Sequence, residues 1–201
     1  MKTTVLIPSY KRGPALLHSL AGVINGERVP DQVVVVLRDT DEESQELVQN
    51  WLDECSCPDV FDIPQVSEPG QIAAINRGLE VASGDIVAFT DDDAVPRSQW
   101  LKCLVSHYED PDVGGVGGRD VVHHGDTITD GETTVVGRIT AFGRIIGNHH
   151  LELQGPAAEV EHLKGVNMSF RRELIQPFDP NIQGPHFNDT DQSLSVRKQG
   201  W

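Results

Sequence analysis

The sequence predicts an α/β fold in which helices flank a mostly parallel sheet, built as a single domain over residues 1–201. Short apolar runs typical of buried strands recur through residues 1–122, and stretches with helical spacing of apolar side chains separate them. A chain of this length can bury one substantial core. Because the pattern weakens after residue 122, we expect a regular half, 1–122, and a smaller, less regular half, 123–201.

The regular half alternates strands with helices. Apolar and β-branched runs predict strands over residues 4–8, 33–37, 61–66, 86–89 and 113–122. Apolar residues three or four apart predict helices over 15–25, 40–52, 70–81 and 98–105, with Thr40 and Ser98 as N-caps of the second and fourth. Strands that alternate with helices at this spacing form βαβ units, whose strands run parallel.

The second half has weaker signals. Residues 123–162 contain scattered glycines and histidines without clear periodicity. A loop of this length in a compact domain is usually functional or mobile. Regular structure is expected again over 165–172, and the segment from Asp189 to the end is predicted to be helical.

Composition excludes several classes of protein. The longest uninterrupted apolar run, Val33–Leu37, is too short to cross a bilayer, and the first residues lack a signal-peptide pattern. The formal net charge of −15 excludes nucleic acid as a partner, since phosphates require a basic surface. Because Cys55, Cys57 and Cys103 have no framework spacing, we expect reduced thiols and a cytoplasmic protein.

The acidic excess is spread along the whole chain. Its basic residues are mostly arginine, with 11 arginines against 5 lysines. Abundant aspartate with few lysines is typical of proteins adapted to a salt-rich cytoplasm, where self-repulsion between acidic groups is screened. We therefore expect a halophilic source.

Three consecutive aspartates, Asp91, Asp92 and Asp93, follow the predicted buried strand Ile86–Phe89. In open α/β sheets ligands bind at the carboxyl ends of the strands, where these carboxylates are expected to lie. Adjacent like charges repel one another, so a cation is expected to neutralise them, and oxygen ligands suit Mg²⁺ or Mn²⁺. The alternative is a solvated acidic turn that caps the helix starting near Ser98.

Four segments at predicted strand ends carry a resemblance to a known family. They are 5–12, 33–39, 69–93 and 164–172, the last followed by Asn188-Asp189-Thr190-Asp191. Together they resemble the family 2 inverting glycosyltransferases, which have the GT-A fold. The aspartate triplet with its preceding Gly84-Asp85, and the run Gly165-Val166-Asn167-Met168-Ser169-Phe170-Arg171-Arg172, are the specific parts of this resemblance.

The resemblance implies a GT-A-like architecture with a nucleotide-sugar-binding half, 1–122, and an acceptor-side half, 123–201. It implies nucleotide-binding roles for Pro8, Tyr10, Arg12, Asp39, Asn76, Asp91 and Asp92. It also implies metal ligation by Asp91 and Asp93, with Mn²⁺ or Mg²⁺ as the cofactor. Asp189 is the implied base that takes the proton from the attacking hydroxyl, although an aspartate at a helix start is also a common N-cap.

The chain departs from the family pattern at several positions. Ile75 stands where the family often has an arginine that contacts the diphosphate, and Asn188 replaces the glutamate of a Glu-Asp pair. Family members usually continue past the final Gly-Trp with a segment that supplies a metal-binding histidine, so we expect a truncated acceptor-side half. His149 and His150 could replace that histidine, but paired loop histidines are more often solvent-facing.

The expected activity is transfer of a sugar from a UDP-, GDP- or dTDP-sugar donor to a hydroxyl acceptor. The acceptor class stays open between a polysaccharide, a lipid-linked glycan and a protein-linked glycan. The missing C-terminal region would place the protein at the inner face of the cell membrane. Two alternatives remain at this stage, namely a sugar-nucleotide pyrophosphorylase and a catalytically inactive nucleotide-sugar-binding module, the second favoured by Asn188.

Overall fold

A computed structural model describes residues 1–55, 59–182 and 187–201, with the side chain of Phe187 excluded. In chain order its strands are β1 (Thr3–Ser9), β2 (Gln32–Arg38), β3 (Phe61–Asp62), β4 (Gln65–Val66), β5 (Ile86–Phe89), β6 (Gly115–Gly117), β7 (His123–His124), β8 (Thr127–Ile128), β9 (Glu132–Thr133), β10 (Arg138–Ile139), β11 (Ile145–Ile146), β12 (Glu152–Leu153) and β13 (Met168–Arg171). The helices are α1 (Pro14–Ile24), α2 (Glu42–Glu54), α3 (Gln71–Val81), α4 (Trp100–Ser106) and α5 (Phe187–Lys198).

The described ranges form one central sheet of seven strands, in the order β3-β2-β1-β5-β13-β6, with β4 also paired to β2. Strands β1 to β5 pair with one another in parallel, whereas β13 runs antiparallel to both β5 and β6. The predicted α/β fold with a mostly parallel sheet is therefore confirmed. Its parallel part places the carboxyl ends of β1, β2 and β5 side by side.

Helices cover both faces of this sheet, so alternate strand residues enter two separate cores. Leu6, Val34 and Val36 pack on the side of α3 and α5. Val5 and Ile7 pack on the opposite side, with α1, α2 and α4. Parallel strands buried on both faces are nearly continuous apolar runs, which is why β1, β2 and β5 were detectable in the sequence.

Several predicted boundaries shift in the structure. The strand expected over 61–66 is split into β3 and β4 around Pro64, which has no N–H to donate to a ladder. The strand expected over 113–122 is limited to β6. Asp41, not Thr40, caps α2, because its carboxylate accepts the Ser44 N–H. The predicted cap Ser98 is wrong as well, since α4 begins after Gln99.

Residues 123–162 form short ladders, and none of their strands exceeds two residues. The pairs are β7 with β8, β10 with β11, and β9 with β12. Gly125 and Gly143 lie between the paired strands with φ values of 61° and 75°, which favour glycine. Two-residue strands leave no periodic signal, so the sequence predicted only an irregular segment here.

Helix length bears on membrane insertion. The longest helix within the described residues, α2, contains 13 residues, whereas a helix that spans a bilayer needs about 20. None of the described helices is long and apolar enough to cross a membrane.

The cysteine expectation is partly wrong. Cys103 is a free, exposed thiol, as predicted. Cys55, however, is disulfide-bonded, and Cys57 lies outside the described residues. An odd number of cysteines excludes complete pairing but leaves room for one bridge, which the spacing argument overlooked.

The net charge of −15 leads to a prediction about salt. If the acidic excess is a halophilic adaptation, the melting temperature should rise as salt increases from about 0.1 M to about 1 M, because the Debye length falls from about 10 Å to about 3 Å. Thermal unfolding followed by circular dichroism measures this shift. A flat or falling melting temperature over that range would indicate an ordinary acidic protein.

Candidate active site

The aspartate triplet lies at the carboxyl edge of the sheet, directly after β5. Thr90 donates its N–H to the carbonyl of Leu6 at 3.3 Å, which extends the β1–β5 pairing to the start of the triplet. The Ser19 hydroxyl on α1 then donates to the carbonyl of Asp91 at 3.1 Å. These two contacts hold the backbone of the triplet against both β1 and α1.

Two cavities meet at this edge. The larger, of about 420 Å³, is lined by Pro8, Ser9, Tyr10, Arg12, Arg38, Val66, Pro69, Gly70, Gln71, Ala74, Asp91 and Asp92. The smaller, of about 190 Å³, is lined by Pro8, Gln71, Ile75, Phe89, Thr90, Asp91, Lys164, Gly165, Val166, Met168, Asn188 and Asp189. Pro8, Gln71 and Asp91 line both cavities, so the two form adjoining compartments with Asp91 between them.

Arg12 bridges two carboxylates of the triplet. Its Nε lies 3.0 Å from Asp92 Oδ1, and its Nη1 lies 3.3 Å from Asp93 Oδ2. The turn that carries it is unusual, because Lys11 and Gly13 on either side both have a φ of 55°. The Lys11 N–H donates to Asp41 Oδ2 at 2.7 Å, which ties this turn to the start of α2. The expected neutralising cation is thus partly supplied by the chain itself.

Asp91 is the least compensated member of the triplet. Burial, followed by the charges of Asp93 and Asp92, raises its pKa to about 6. Within the described residues, its carboxylate makes no hydrogen bond or ion pair, since Arg12 is engaged with the other two aspartates. A half-buried carboxylate without a partner in this position favours a bound cation or a proton.

The residues present fit a divalent ion of the Mg²⁺ or Mn²⁺ class. Such ions are usually held by one or two carboxylates together with substrate phosphates. Asp91 and Asp93 supply that number, and the uncompensated carboxylate of Asp91 is the observation that favours an ion. No group of three or more metal-binding side chains occurs among residues 1–55, 59–182 and 187–201, so the remaining ligands would have to come from the substrate.

Asp189 faces the smaller cavity from the first turn of α5. It is 4% exposed, and its Oδ2 accepts the N–H of Gly165 at 2.9 Å. This bond joins α5 to the segment that precedes β13, which itself pairs with β5 beside the triplet. The sheet and α5 therefore bring Asp189 and Asp91 to one cavity, although about 100 residues separate them in the sequence.

Lys164 is a cation on the wall of the same cavity. Its ammonium group is bonded to the carboxylate of Asp120.

Behind this pair, His149 and His162 are both buried, with ring centroids 5.0 Å apart. Burial and the neighbouring His162 lower the pKa of His149 to about 4. The expectation that paired loop histidines face solvent is therefore wrong for His149, because it packs under the cavity wall.

The structure brings most of the predicted site residues together, but not all of them. Pro8, Tyr10, Arg12, Asp91 and Asp92 line the larger cavity, and Asp91 and Asp189 line the smaller one. Asp93 lines neither cavity and reaches the site through its ion pair with Arg12.

Asn76 and Asp39 lie outside both cavities. The Asn76 side chain donates to the carbonyl of Phe178 at 2.9 Å and accepts the Phe178 N–H at 2.8 Å. Both of its polar groups are thus used to fix the backbone at Phe178, a structural role. Asp39 stands beside the larger cavity, where its Oδ1 lies 3.5 Å from the Nε of Arg38.

The sequence analysis missed three long polar side chains among the residues that line the cavities. They are Arg38, Gln71 and Lys164. Each belongs to a segment that carried the family resemblance, and for Arg38 and Gln71 the position at a strand or helix end could have identified them. Arg38 ends β2, and Gln71 begins α3 directly after Gly70, whose φ is 114°.

Comparison with known proteins identifies the family. The model for glycosyl transferase family 2 matches residues 4–177, most of the chain. This chain belongs to glycosyl transferase family 2. It is 31% identical over 121 residues to the glucosyl-dolichyl phosphate glucuronosyltransferase of Haloferax volcanii, a match covering 59% of this chain and 38% of that protein. It is 46% identical over 52 residues to a Mycobacterium tuberculosis pre-mycofactocin glycosyltransferase, covering 26% of this chain and 11% of that protein.

Solved structures of glycosyltransferases share the fold. The mannosyltransferase PcManGT from Pyrobaculum calidifontis, in complex with GDP-Man and Mn²⁺, aligns with a TM-score of 0.71 at 20% identity. The alignment covers 100% of this family 2 chain and 53% of the PcManGT chain. GalNAc-T7 with UDP, GalNAc and Mn²⁺ aligns with a TM-score of 0.76 at 15% identity. This alignment covers 98% of the present chain and 40% of the GalNAc-T7 chain. The GT-A fold of this family 2 chain is therefore confirmed. The chain spans less than half the length of the curated relatives it matches.

Proposed function

We propose that this family 2 chain is a metal-dependent, inverting glycosyltransferase that uses a nucleoside-diphosphate sugar as donor and a hydroxyl group as acceptor. The observation that carries this proposal is the pair of adjoining cavities that share Asp91, with Arg12 beside one and Asp189 in the other. The larger cavity has the volume and lining for a nucleoside, and the smaller one can hold a single sugar ring. The ligands named in the structures of the two similar transferases, GDP-Man and UDP, support a donor of this class.

Each compartment has a separate task in the proposed mechanism. The exposed ring of Tyr10 stacks on the base in the larger cavity, and Arg12 moves from Asp92 and Asp93 to the diphosphate. Asp91 and Asp93 would hold Mn²⁺ or Mg²⁺, which stabilises the negative charge that grows on the departing diphosphate. The sugar then lies in the smaller cavity, next to Asp189.

The displacement itself requires a proton acceptor. The acceptor oxygen forms a bond to the anomeric carbon from the face opposite the diphosphate, and the bond from that carbon to the phosphate oxygen breaks. The hydroxyl proton passes to the carboxylate of Asp189, and the electron pair of the broken bond leaves with the diphosphate. The carboxylate of Asp189 accepts the Gly165 N–H on Oδ2 and the Thr190 N–H on Oδ1, and an ionised carboxylate with about four lone-pair positions can also take up a proton.

The acceptor and its location are also proposals. We assign the nucleotide sugar to residues 1–122 and the acceptor to residues 123–201, since six of the twelve residues that line the smaller cavity, Asp189 among them, belong to the second range. The name of the Haloferax relative contains a dolichyl phosphate, which supports a lipid-linked acceptor. A cytoplasmic protein at the inner membrane face would meet such an acceptor there.

The second candidate is an inactive nucleotide-sugar-binding module, and Asn188 in the smaller cavity favours it. Family membership supports either of these over a pyrophosphorylase. Incubating the protein with UDP-, GDP- and dTDP-sugars and Mn²⁺ tests the choice, with release of the nucleoside diphosphate as the readout. The transferase proposal expects slow, Mn²⁺-dependent donor cleavage with inverted configuration in the released sugar. Tight donor binding without any cleavage would favour the inactive module.

The raised pKa of Asp91 gives a prediction about pH. Because a proton and a divalent ion compete for this carboxylate, Mn²⁺-dependent affinity for a nucleoside diphosphate should fall as the pH drops through about 6. Titration calorimetry between about pH 7.5 and about pH 5 measures this change. This loss of affinity should not come from unfolding. A carboxyl group whose folded-state pKa lies above the ordinary value of 3.8 stabilises the fold when it takes up a proton, so protonation of Asp91 does not destabilise the protein. An affinity that is constant across this range would argue against Asp91 as a metal ligand.

A further inference from the structure

Arg38 has a location that the proposed mechanism does not use. It is the last residue of β2, and its side chain lines the larger cavity together with Tyr10, Val66 and Pro69. Its backbone is held on both sides, because it pairs with Val66 of β4 and its carbonyl accepts the side-chain N–H of Gln45 at 2.8 Å. The strand therefore fixes the point from which the guanidinium enters the cavity.

The guanidinium of Arg38 lacks acceptors for its buried donors. Its Nε and Nη1 are buried, and neither makes a hydrogen bond to any residue in the described part of the chain. The nearest carboxylate oxygen, Asp39 Oδ1, lies 3.5 Å from Nε, a contact outside hydrogen-bond geometry. Sealing charged donors from water without acceptors is costly, so a turn of the guanidinium towards an acceptor supplied by a ligand in the cavity is favoured.

The position of Arg38 in the sheet indicates which part of a nucleotide it meets. Strand β1 lies between β2 and β5, so two strand spacings, roughly 10 Å, separate Arg38 from the triplet after β5. Arg12 already provides a guanidinium at the triplet end of the cavity, where it pairs with Asp92. A diphosphate held near Asp91 would thus place its base, not its phosphates, beside Arg38.

The chemistry of arginine then selects among the bases. A guanidinium carries only donors, arranged as a fork that suits two adjacent acceptors. Guanine offers such a pair in O6 and N7, whereas adenine and cytosine place an amino donor on the equivalent edge. Uracil and thymine offer O4 alone there, flanked by an N–H on one side and a carbon on the other.

We infer that Arg38 is the base-reading residue of this chain and that it selects guanine through O6 and N7, which makes the donor a GDP-sugar. The inference rests on the proposed function, because it assumes that the larger cavity holds a nucleoside. Asp39, beside the guanidinium, is the neighbouring acceptor for the guanine N1–H.

Nucleotide analogues test this assignment on the unaltered protein. With Mn²⁺ present, calorimetry should show GDP binding more tightly than UDP, CDP and ADP by at least about tenfold, the discrimination expected of one paired arginine–base contact. Replacing N7 by carbon in 7-deaza-GDP should remove most of that advantage. IDP, which keeps O6 and N7 but lacks the 2-amino group, should bind within about threefold of GDP.

A variant with a matched control completes the test. Arg38→Gln should bring GDP and UDP to within about threefold of each other, whereas Arg144→Gln, at an exposed hairpin arginine outside both cavities, should leave the preference intact. The inference is overturned if UDP binds as tightly as GDP, if 7-deaza-GDP matches GDP, or if Arg38→Gln keeps the preference. A protein that binds none of these diphosphates with Mn²⁺ overturns the proposed function itself, and the inference with it.

Discussion

Replacing Asp189 with asparagine is expected to reduce Mn²⁺-dependent cleavage of the donor by at least about 100-fold, the usual cost of losing a general base. Donor affinity should stay unchanged because asparagine matches aspartate in size, whereas the melting temperature should fall, since Oδ1 and Oδ2 accept the N–H groups of Thr190 and Gly165 and asparagine keeps one oxygen for the two. The rate of nucleoside diphosphate release from the donor measures the effect. This rate can be measured whether the attacking group is water or a sugar hydroxyl.

Asp191→Asn is the matched control for this prediction. Asp191 lies on the same helix, two residues further on, but it is exposed and lines neither cavity. We expect it to leave cleavage within about twofold of the parent protein, the range of a neutral surface change. Near-normal cleavage in Asp189→Asn together with a large loss in Asp191→Asn would move the base to Asp191.

Replacing Asp93 with alanine is expected to abolish the metal dependence of nucleotide binding. In the parent protein a nucleoside diphosphate should bind at least about tenfold more tightly with Mn²⁺ than with a chelator, because the net negative charge of the triplet repels the diphosphate without the ion. In Asp93→Ala the two affinities should become equal, since one metal ligand and one negative charge are lost together. Titration calorimetry with and without Mn²⁺ measures this ratio.

Asp126→Ala provides the control for charge alone. Asp126 is exposed in the turn between β7 and β8, outside both cavities, so its replacement changes the net charge equally. We expect that variant to keep the metal dependence. If both variants lose it, the effect comes from the overall charge of the protein, and the assignment of Asp93 as a ligand is wrong.

The fold was predictable to the extent that it depends on buried parallel strands. The strand Ile86–Phe89 has the predicted bounds, because four consecutive buried residues leave an unambiguous apolar run. Helix α3, from Gln71 to Val81, differs from its prediction by one residue at the start, since Gly70 marks that end. Features that depend on tertiary contacts were harder to predict from the sequence. The N-cap of α2 is an example, since it is Asp41 and not the predicted Thr40.

The candidate site was predictable where a residue type and a strand end coincide. Asp91 and Asp189 both met that condition, and the structure brings them to one cavity. Asn76 also lay in a matching segment, but its amide is bonded to the backbone of Phe178, a partner about 100 residues away that no local pattern reveals. Lys164 was overlooked for the converse reason, since its place on the cavity wall depends on Asp120 holding its ammonium group.

The central claim is that the triplet edge holds a divalent ion together with a nucleoside diphosphate. Anomalous scattering from crystals grown with Mn²⁺ and a nucleoside diphosphate tests this claim most directly. We expect a Mn²⁺ peak within coordination distance of the carboxylates of Asp91 and Asp93, with the diphosphate bound to the same ion and the base in the larger cavity. A nucleotide bound elsewhere on the protein, or bound in this cavity without Mn²⁺ at the triplet, would contradict the account.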